Sequence, residues 1–191
     1  MRIAMFAAAG ACALLAACGG SKTSQSNNAQ ANLREEGRTD PTANTTASNA
    51  MVLLAAKPVS GDQAKKVMHE RHEGMEATGK AAKGLKRELD KGSPDLAAVR
   101  ASAAQLANLA QKSLGWFPAG TGPNVGKTGA KPEIWQNPQD FVVKMRDFQA
   151  EARAFDAAAR SSDLALIRAQ SGDLGQTCKA CHDKYRSDMH H

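Results

Sequence analysis

Residues 137–159 read NPQDFVVKMRDFQAEARAFDAAA, and this stretch decides the fold class. Asn137 before Pro138 is a strong helix start, because proline is favoured at the first position of a helix. The apolar side chains that follow recur at spacings of three and four, which is typical of one face of an α-helix. They are Phe141, Met145, Phe148, Ala152, Phe155 and Ala159. The stretch predicts an amphipathic helix with one face toward a core.

Two more helices are predicted before this stretch. Ser60 and Gln63 fit a capping box, in which Ser caps the helix and Gln follows three residues later. The apolar or small stripe of this first helix is Val67, Met68, Met75, Thr78, Ala82, Leu85 and Leu89, and Gly92 is a natural stop. Ser93-Pro94 then predicts a second helix that has proline at its first position and Asp95 beside it. Its stripe is Leu96, Val99, Ala103, Leu106, Ala110 and Leu114.

A fourth helix is predicted after a short break at Ser161-Ser162-Asp163. Its inward positions are Leu166, Ile167, Leu174, Cys178, Cys181 and Tyr185. The connection between the second and third helices, residues 115–136, is long and rich in Gly and Pro. Its apolar residues Trp116, Phe117, Ile134 and Trp135 predict that it packs against the helices. Two short links and one long crossover predict an all-α, antiparallel four-helix bundle.

Composition agrees with a small helical protein. The chain has 191 residues, and only 4% are aromatic, which argues against a β-sandwich or barrel. Hydrophobic residues make up 42%, enough for a core but too few for a polytopic membrane protein. The formal net charge is +6, but acidic and basic residues are interspersed, so no nucleic-acid partner is predicted.

The N-terminal residues predict export. Residues 1–17 have a basic start, a short apolar run and small residues at the end, which is typical of a signal peptide. Leu15-Ala16-Ala17-Cys18 resembles the bacterial lipobox, in which the cysteine is lipidated; an ordinary signal cut near Ala17 is the alternative. We therefore expect a membrane-anchored lipoprotein of the periplasm, with the choice between inner and outer membrane left open. Residues 18–58 would be the lipidated end and a flexible linker, and residues 59–191 the folded domain.

The sequence Cys178-Lys179-Ala180-Cys181-His182 has the C-x-x-C-H spacing of c-type haem attachment. Cysteines three apart on a helix point the same way, as two thioether bonds to one porphyrin require. His182 follows at once and can bind iron through a neutral imidazole nitrogen. A thioredoxin-like disulfide lacks its βαβ context, and a structural zinc site lacks a second ligand pair. The prediction is one covalent haem c, containing iron.

Several stretches around this motif resemble the class II c-type cytochromes, the family of cytochrome c′ and cytochrome c-556. Residues 131–138, read KPEIWQNP, are similar to the segment before the third helix of that family, and Trp116-Phe117-Pro118 to the segment after its second. Cys178 to His182, followed by Asp183, Tyr185 and Arg186, resembles its closing motif. The resemblance covers about residues 60–187 and implies a four-helix haem domain.

The same resemblance implies two residues of the first helix at the haem. Arg71 would pair with a haem propionate, and Met75, four residues later, would face the iron on the side opposite His182. In cytochrome c-556 a methionine there is the sixth iron ligand, whereas in cytochrome c′ the iron has five ligands. Met75 as a packing residue, Met68 or His72 as the ligand, and an open site remain alternatives.

Two functions follow from these alternatives. We predict an electron carrier, with His182 and Met75 both on the iron, that meets periplasmic or membrane redox partner proteins; gas binding is the alternative. With an open sixth position it would bind NO or CO, in gas binding or protection from nitrosative stress. The first-helix stripe offers few acid or base groups, so an enzyme is not predicted. The resemblance also implies a homodimer through the first two helices, which the residues themselves leave open.

Overall fold

The computed structural model describes residues 57–188 and contains four long helices. We number the helices in chain order: α1 is Gly61–Leu89, α2 Leu96–Ser113, α3 the single turn Glu133–Gln136, α4 Pro138–Ala159 and α5 Leu164–Tyr185. A 3-10 turn, Leu114–Trp116, extends α2. Within residues 57–188 the only strand-like pairing is an isolated bridge between Ala130 and Arg186. The predicted all-α four-helix bundle is therefore confirmed.

The core lies where α1, α2, α4 and α5 pack together. We call the following residues the core cluster: Ala81, Leu85, Leu89, Val99, Ala103, Leu106, Ala110, Phe148, Ala152, Phe155, Ala159, Ile167 and Leu174. The six stripe residues predicted for α4 are all buried. Leu166 was predicted to face inward but is 45% exposed, because Ile167 takes the buried position of that turn.

Two predicted helix starts need correction. The second helix begins at Leu96 rather than at Pro94, and its N-cap is Asp95, whose carboxylate accepts from the backbone N–H of Ala97 at 2.8 Å. Ser60 is the N-cap of α1 as predicted, but its side chain makes no capping hydrogen bond. Gly61 has a φ of 56°, so the first residue of α1 lacks the helical backbone that a capping box needs.

The crossover between α2 and α4 is packed, as predicted. Phe117 and Ile134 are buried, and they form a second apolar group with Phe141, Met145 and Tyr185. We call these five residues the site cluster. The crossover also pairs with the end of α5, because the N–H of Lys131 donates to the Tyr185 carbonyl at 2.9 Å. This pairing holds the crossover beside the C-x-x-C-H motif.

The predictions for residues 1–17, for Cys18 and for nearly all of the linker concern a part of the chain outside the described residues. Along residues 57–188, no helix combines the length and the apolar character needed to cross a lipid bilayer.

Candidate haem site

The two motif cysteines lie one turn apart near the end of α5. Both are half-buried and neither forms a disulfide. Cys178 packs against the core cluster and Cys181 against the site cluster, so the thiols lie where the two clusters meet. Burial raises the pKa of both thiols, that of Cys181 to about 11. Two neutral thiols thus sit side by side at an apolar surface.

His182 follows directly and is more exposed than either cysteine. The protein atoms around it, and then the positive charge of Arg186, hold the pKa of His182 below its ordinary value. The imidazole is therefore neutral at pH 7, which is the form that can bind a metal. The predicted attachment residues are contiguous in sequence and on one helical turn in space.

Tyr185, one turn after Cys181, fixes the end of α5 against α4. Its hydroxyl donates to Asp140 Oδ2 at 2.5 Å, and Lys184 Nζ donates to the same oxygen at 2.9 Å. The first of these bonds is the main cause of the lowered pKa of Asp140, while burial and then Asp140 raise the pKa of Tyr185. Edge-on ring contacts continue from Tyr185 to Phe141 and on to Phe117. Sequence reasoning did not foresee this hydrogen bond, since Asp140 reads as an ordinary first-turn acid.

Arg71 is only 4% exposed and its guanidinium is bound to the crossover. Nη1 donates to the Trp116 carbonyl at 3.2 Å and to Thr121 Oγ1 at 3.0 Å. Nη2 donates to the Thr121 carbonyl at 2.9 Å and to Thr128 Oγ1 at 3.0 Å. The cation also lies against the Phe117 ring, 5.1 Å from its centroid. Burial lowers the pKa of Arg71 to about 10, so it keeps its charge at pH 7.

These four bonds use all four Nη hydrogens of Arg71, and every acceptor is an uncharged oxygen. Nε–H is therefore the donor left for a haem propionate. The pairing of Arg71 with a propionate, which the resemblance to class II cytochromes implies, would be a single hydrogen bond unless one of these contacts with the crossover breaks. Sequence reasoning missed Thr121 and Thr128. Both residues are far from Arg71 along the chain, so no local sequence pattern indicates that they accept hydrogen bonds from it.

Met75 is half-buried and packs against the site cluster, as do Trp116 and Cys181. The structure therefore brings the methionine of α1 and a cysteine of α5 to the same apolar group. The alternative iron ligands on α1 do not pack against the site cluster in this way. His72 is exposed on α1, in an exposed group with Glu73 and Glu76, and Met68 lies against the crossover at Gly126.

This donor set fits a covalent haem. Two free thiols one turn apart match two thioether bonds, a neutral imidazole follows for the iron, and Cys181 packs against apolar side chains of α4 and the crossover. A structural thiolate metal site is not supported, because among residues 57–188 no group of three or more potential metal ligands includes either cysteine.

Comparison with known proteins agrees with this reading of the site. The family model described as cytochrome C′ matches residues 66–186, from within the first turns of α1 to the end of the C-x-x-C-H helix. The chain belongs to the cytochrome c′ family. Proteins of this family carry one covalent haem c, so membership supports the cofactor predicted from Cys178, Cys181 and His182.

Three similar cytochromes c′ bear on the function. That of Allochromatium vinosum is 32% identical over 141 residues, 72% of this chain and 91% of the relative. A solved structure titled as a cytochrome c′ with ligand-controlled dimer dissociation has a TM-score of 0.61 and 29% identity; the match covers 69% of this chain and all of that one. A nitric oxide complex of a point mutant from Alcaligenes xylosoxidans has a TM-score of 0.59 and 29% identity, covering 65% of this chain and 97% of that one.

Proposed function

We propose that this protein is an exported mono-haem cytochrome c′ that binds a diatomic gas, NO or CO, on the haem face opposite His182. Cys181 of the motif and Met75 pack on the same site cluster, which supports a haem between α5 and α1. The nitric oxide complex of a relative supports gas as the ligand. The haem would supply an iron atom with one free position for the gas.

The residues of the chain have separate roles in this proposal. Cys178 and Cys181 hold the porphyrin covalently, and His182 binds the iron from the side of α5. The site cluster keeps water away from the haem face. Arg71 holds the crossover in place through its Nη groups, and its Nε–H is left for a propionate oxygen.

The second candidate is an electron carrier in which Met75 is the sixth iron ligand. One observation favours it: the thioether is half-buried on the site cluster instead of pointing to solvent. A bonded thioether would favour reduced iron and would occupy the position that a gas needs. A periplasmic or membrane redox partner would then be required.

One pair of proteins separates the two candidates. Met75→Leu keeps an apolar side chain of similar size but removes the sulfur. For the gas-binding protein we expect high-spin ferrous haem and ready CO binding in the native protein, with little change in spin state in the variant. Low-spin haem that resists CO in the native protein, and becomes high-spin and CO-reactive in Met75→Leu, would contradict gas binding and support the electron carrier.

Haem attachment itself is tested by replacing Cys178 and Cys181 with Ala. We expect the double variant to lose covalent haem, measured as haem that survives denaturing electrophoresis. Cys18→Ser is the matched control, because it removes a cysteine outside the motif. It should keep the haem but lose membrane association, since we also propose that Cys18 carries the lipid anchor. Haem that stays covalently bound in the double variant would contradict the attachment site.

Assembly is the remaining part of the proposal. Ligand-controlled dimer dissociation in a relative supports a homodimer for this protein. Sedimentation of the ferrous protein with and without CO tests it, and a monomer at all concentrations would contradict it.

A further inference from the structure

Gly74, the residue directly before Met75, is in close contact with a tryptophan of the crossover. A Cβ atom built on Gly74 would lie 2.5 Å from Trp116 Cζ2, 2.9 Å from Cε2 and also too close to Cη2. Ordinary contact begins at about 3.4 Å. The six-membered edge of the indole therefore lies directly on the backbone of α1, in a space that exists only because residue 74 has no side chain.

Trp116 is held in this position from its backbone as well. Its carbonyl accepts from Arg71 Nη1, three residues before Gly74 on the same helix. Its own segment is the 3-10 turn that ends α2. The tryptophan is thus attached to α1 at two points, through its carbonyl and through its ring.

The ring also borders the haem site. Trp116, Met75 and Cys181 all pack against the site cluster, and Trp116 is half-buried. Since Met75 directly follows Gly74, a ring that lies on Gly74 is next to the helix position that faces the iron in the proposed function.

We propose that Gly74 and Trp116 together form a wall of the haem cleft that limits access of a gas to the iron beside Met75. This inference rests on the proposed gas-binding function and adds two residues that control how fast the gas reaches the iron. A Cβ at residue 74 would push the ring about 1 Å outward, from 2.5 Å to ordinary contact. With the Trp116 carbonyl still bonded to Arg71, the ring would tilt away from α1, and under this proposal that tilt opens the wall.

The chain offers matched controls on the same helix. Gly79 and Gly84 also lie in α1, and a Cβ at either would meet nothing within 4 Å. Alanine at these two positions therefore tests the general effect of Gly→Ala on a helix, whereas Gly74→Ala adds the displacement of Trp116.

The experiment measures the association rate of CO with the ferrous holoprotein by stopped flow. We expect Gly74→Ala to bind CO several-fold faster than the native protein, because the displaced Trp116 ring would leave a wider path to the iron. Gly79→Ala and Gly84→Ala should stay within about twofold of the native rate. A Gly74→Ala rate that is unchanged, lower or matched by the controls would overturn the proposal.

The same measurement in a Met75→Leu background separates this inference from the proposed function. If the native iron already carries Met75, the gas-binding function fails, but the wall still has to slow CO once the sulfur is removed. Gly74→Ala must then speed CO binding in the Met75→Leu protein, and its failure to do so overturns the wall alone.

A second variant covers the case in which Gly74→Ala does not take up haem. Trp116→Leu removes the ring and keeps Gly74, and it should raise the CO association rate by a similar factor. Adding Gly74→Ala to Trp116→Leu should then produce no further increase. A rate in Trp116→Leu equal to the native rate would overturn the proposal.

Discussion

The hydrogen bond between Tyr185 and Asp140 links two residues near the haem motif and gives stability a pH dependence. The bond lowers the pKa of Asp140, so its contribution is present above the carboxyl pKa of the unfolded chain and is lost as pH falls through the lower folded pKa. Asp140 is 37% exposed, and we therefore expect Tyr185→Phe to cost only about 1 kcal/mol at pH 7. Urea unfolding of the holoprotein measures this cost.

The pH profile is the sharper part of that prediction. The difference between native protein and Tyr185→Phe should shrink at about pH 3, where an ordinary aspartate is mostly protonated. Lys184→Met is a control that removes the weaker partner of Asp140 and keeps the short bond. A difference that stays constant with pH would mean that Tyr185 contributes through packing alone.

Arg71 is a buried cation whose known partners are neutral, so its removal leaves several oxygens without donors. Thr121 is fully buried, and its hydroxyl and carbonyl both accept from Arg71. We expect Arg71→Met to lower the free energy of unfolding by about 2 to 4 kcal/mol. Arg168→Met, which removes an exposed guanidinium bonded to the carbonyl of Leu89, should cost less than about 1 kcal/mol. Equal losses in urea unfolding would show that Arg71 does not hold the crossover.

The sequence predicts those parts of the site that are contiguous in the chain. Cys178, Cys181 and His182 are recognised because the spacing of the attachment chemistry is itself the motif. The partners of Arg71 are 45 to 57 residues away, and nothing in residues 116–128 marks them as acceptors. The contact between Trp116 and Gly74 was also not predicted. A glycine in a helix has the same sequence signal whether an aromatic ring or solvent lies against it.

At the scale of the helices, the N-cap of α5 can be compared directly with that of α1. Asp163 Oδ1 accepts from the N–H of Ala165 at 2.9 Å and of Leu166 at 3.1 Å, which caps the helix that carries the haem motif. We expect Asp163→Ala to cost about 1 kcal/mol in thermal unfolding. Ser60→Ala is the control at the start of α1, where the side chain makes no capping bond, and it should cost close to nothing. A similar loss in both variants would contradict the difference between the two caps.

Helix positions were easier to predict than helix ends. The predicted buried positions from Phe141 to Ala159 were correct, because apolar residues spaced three and four apart lie on the one face of a helix that packs against the core. The predicted start of α2 was wrong because Pro94 and Asp95 each signal a helix start. The choice between them depends on which backbone N–H groups the Asp95 carboxylate reaches. The prediction for Leu166 was wrong because the buried face of α5 passes through its neighbour Ile167, which is fully buried.

At the scale of the whole molecule, the crossover does more than connect α2 to α4. It is bonded to α1 through Arg71, to the end of α5 through Lys131, and to the segment before α1 through Val59, whose N–H donates to the Ala119 carbonyl at 3.0 Å. The long connection thus joins the start of the domain, the helix of Met75 and the helix of the haem motif. Its packing was predicted from its apolar residues, but these attachments follow only from the fold.

The contact of Val59 with the crossover predicts where the domain begins. Gly120 has a φ of 84°, and a Cβ there would overlap the Val59 carbonyl oxygen, so residues 58 and 59 lie closely against this turn. A chain that starts at residue 57, exported behind a foreign signal peptide, should therefore fold with the same haem spectrum as the full protein. A chain that starts at Gly61 loses the Val59 bond and its packing on Gly120, and should be about 1 to 2 kcal/mol less stable in urea. Equal stability of the two chains would place the start of the domain at the first helix, whereas a failure of the longer one to hold haem would mean that residues before 57 belong to the fold.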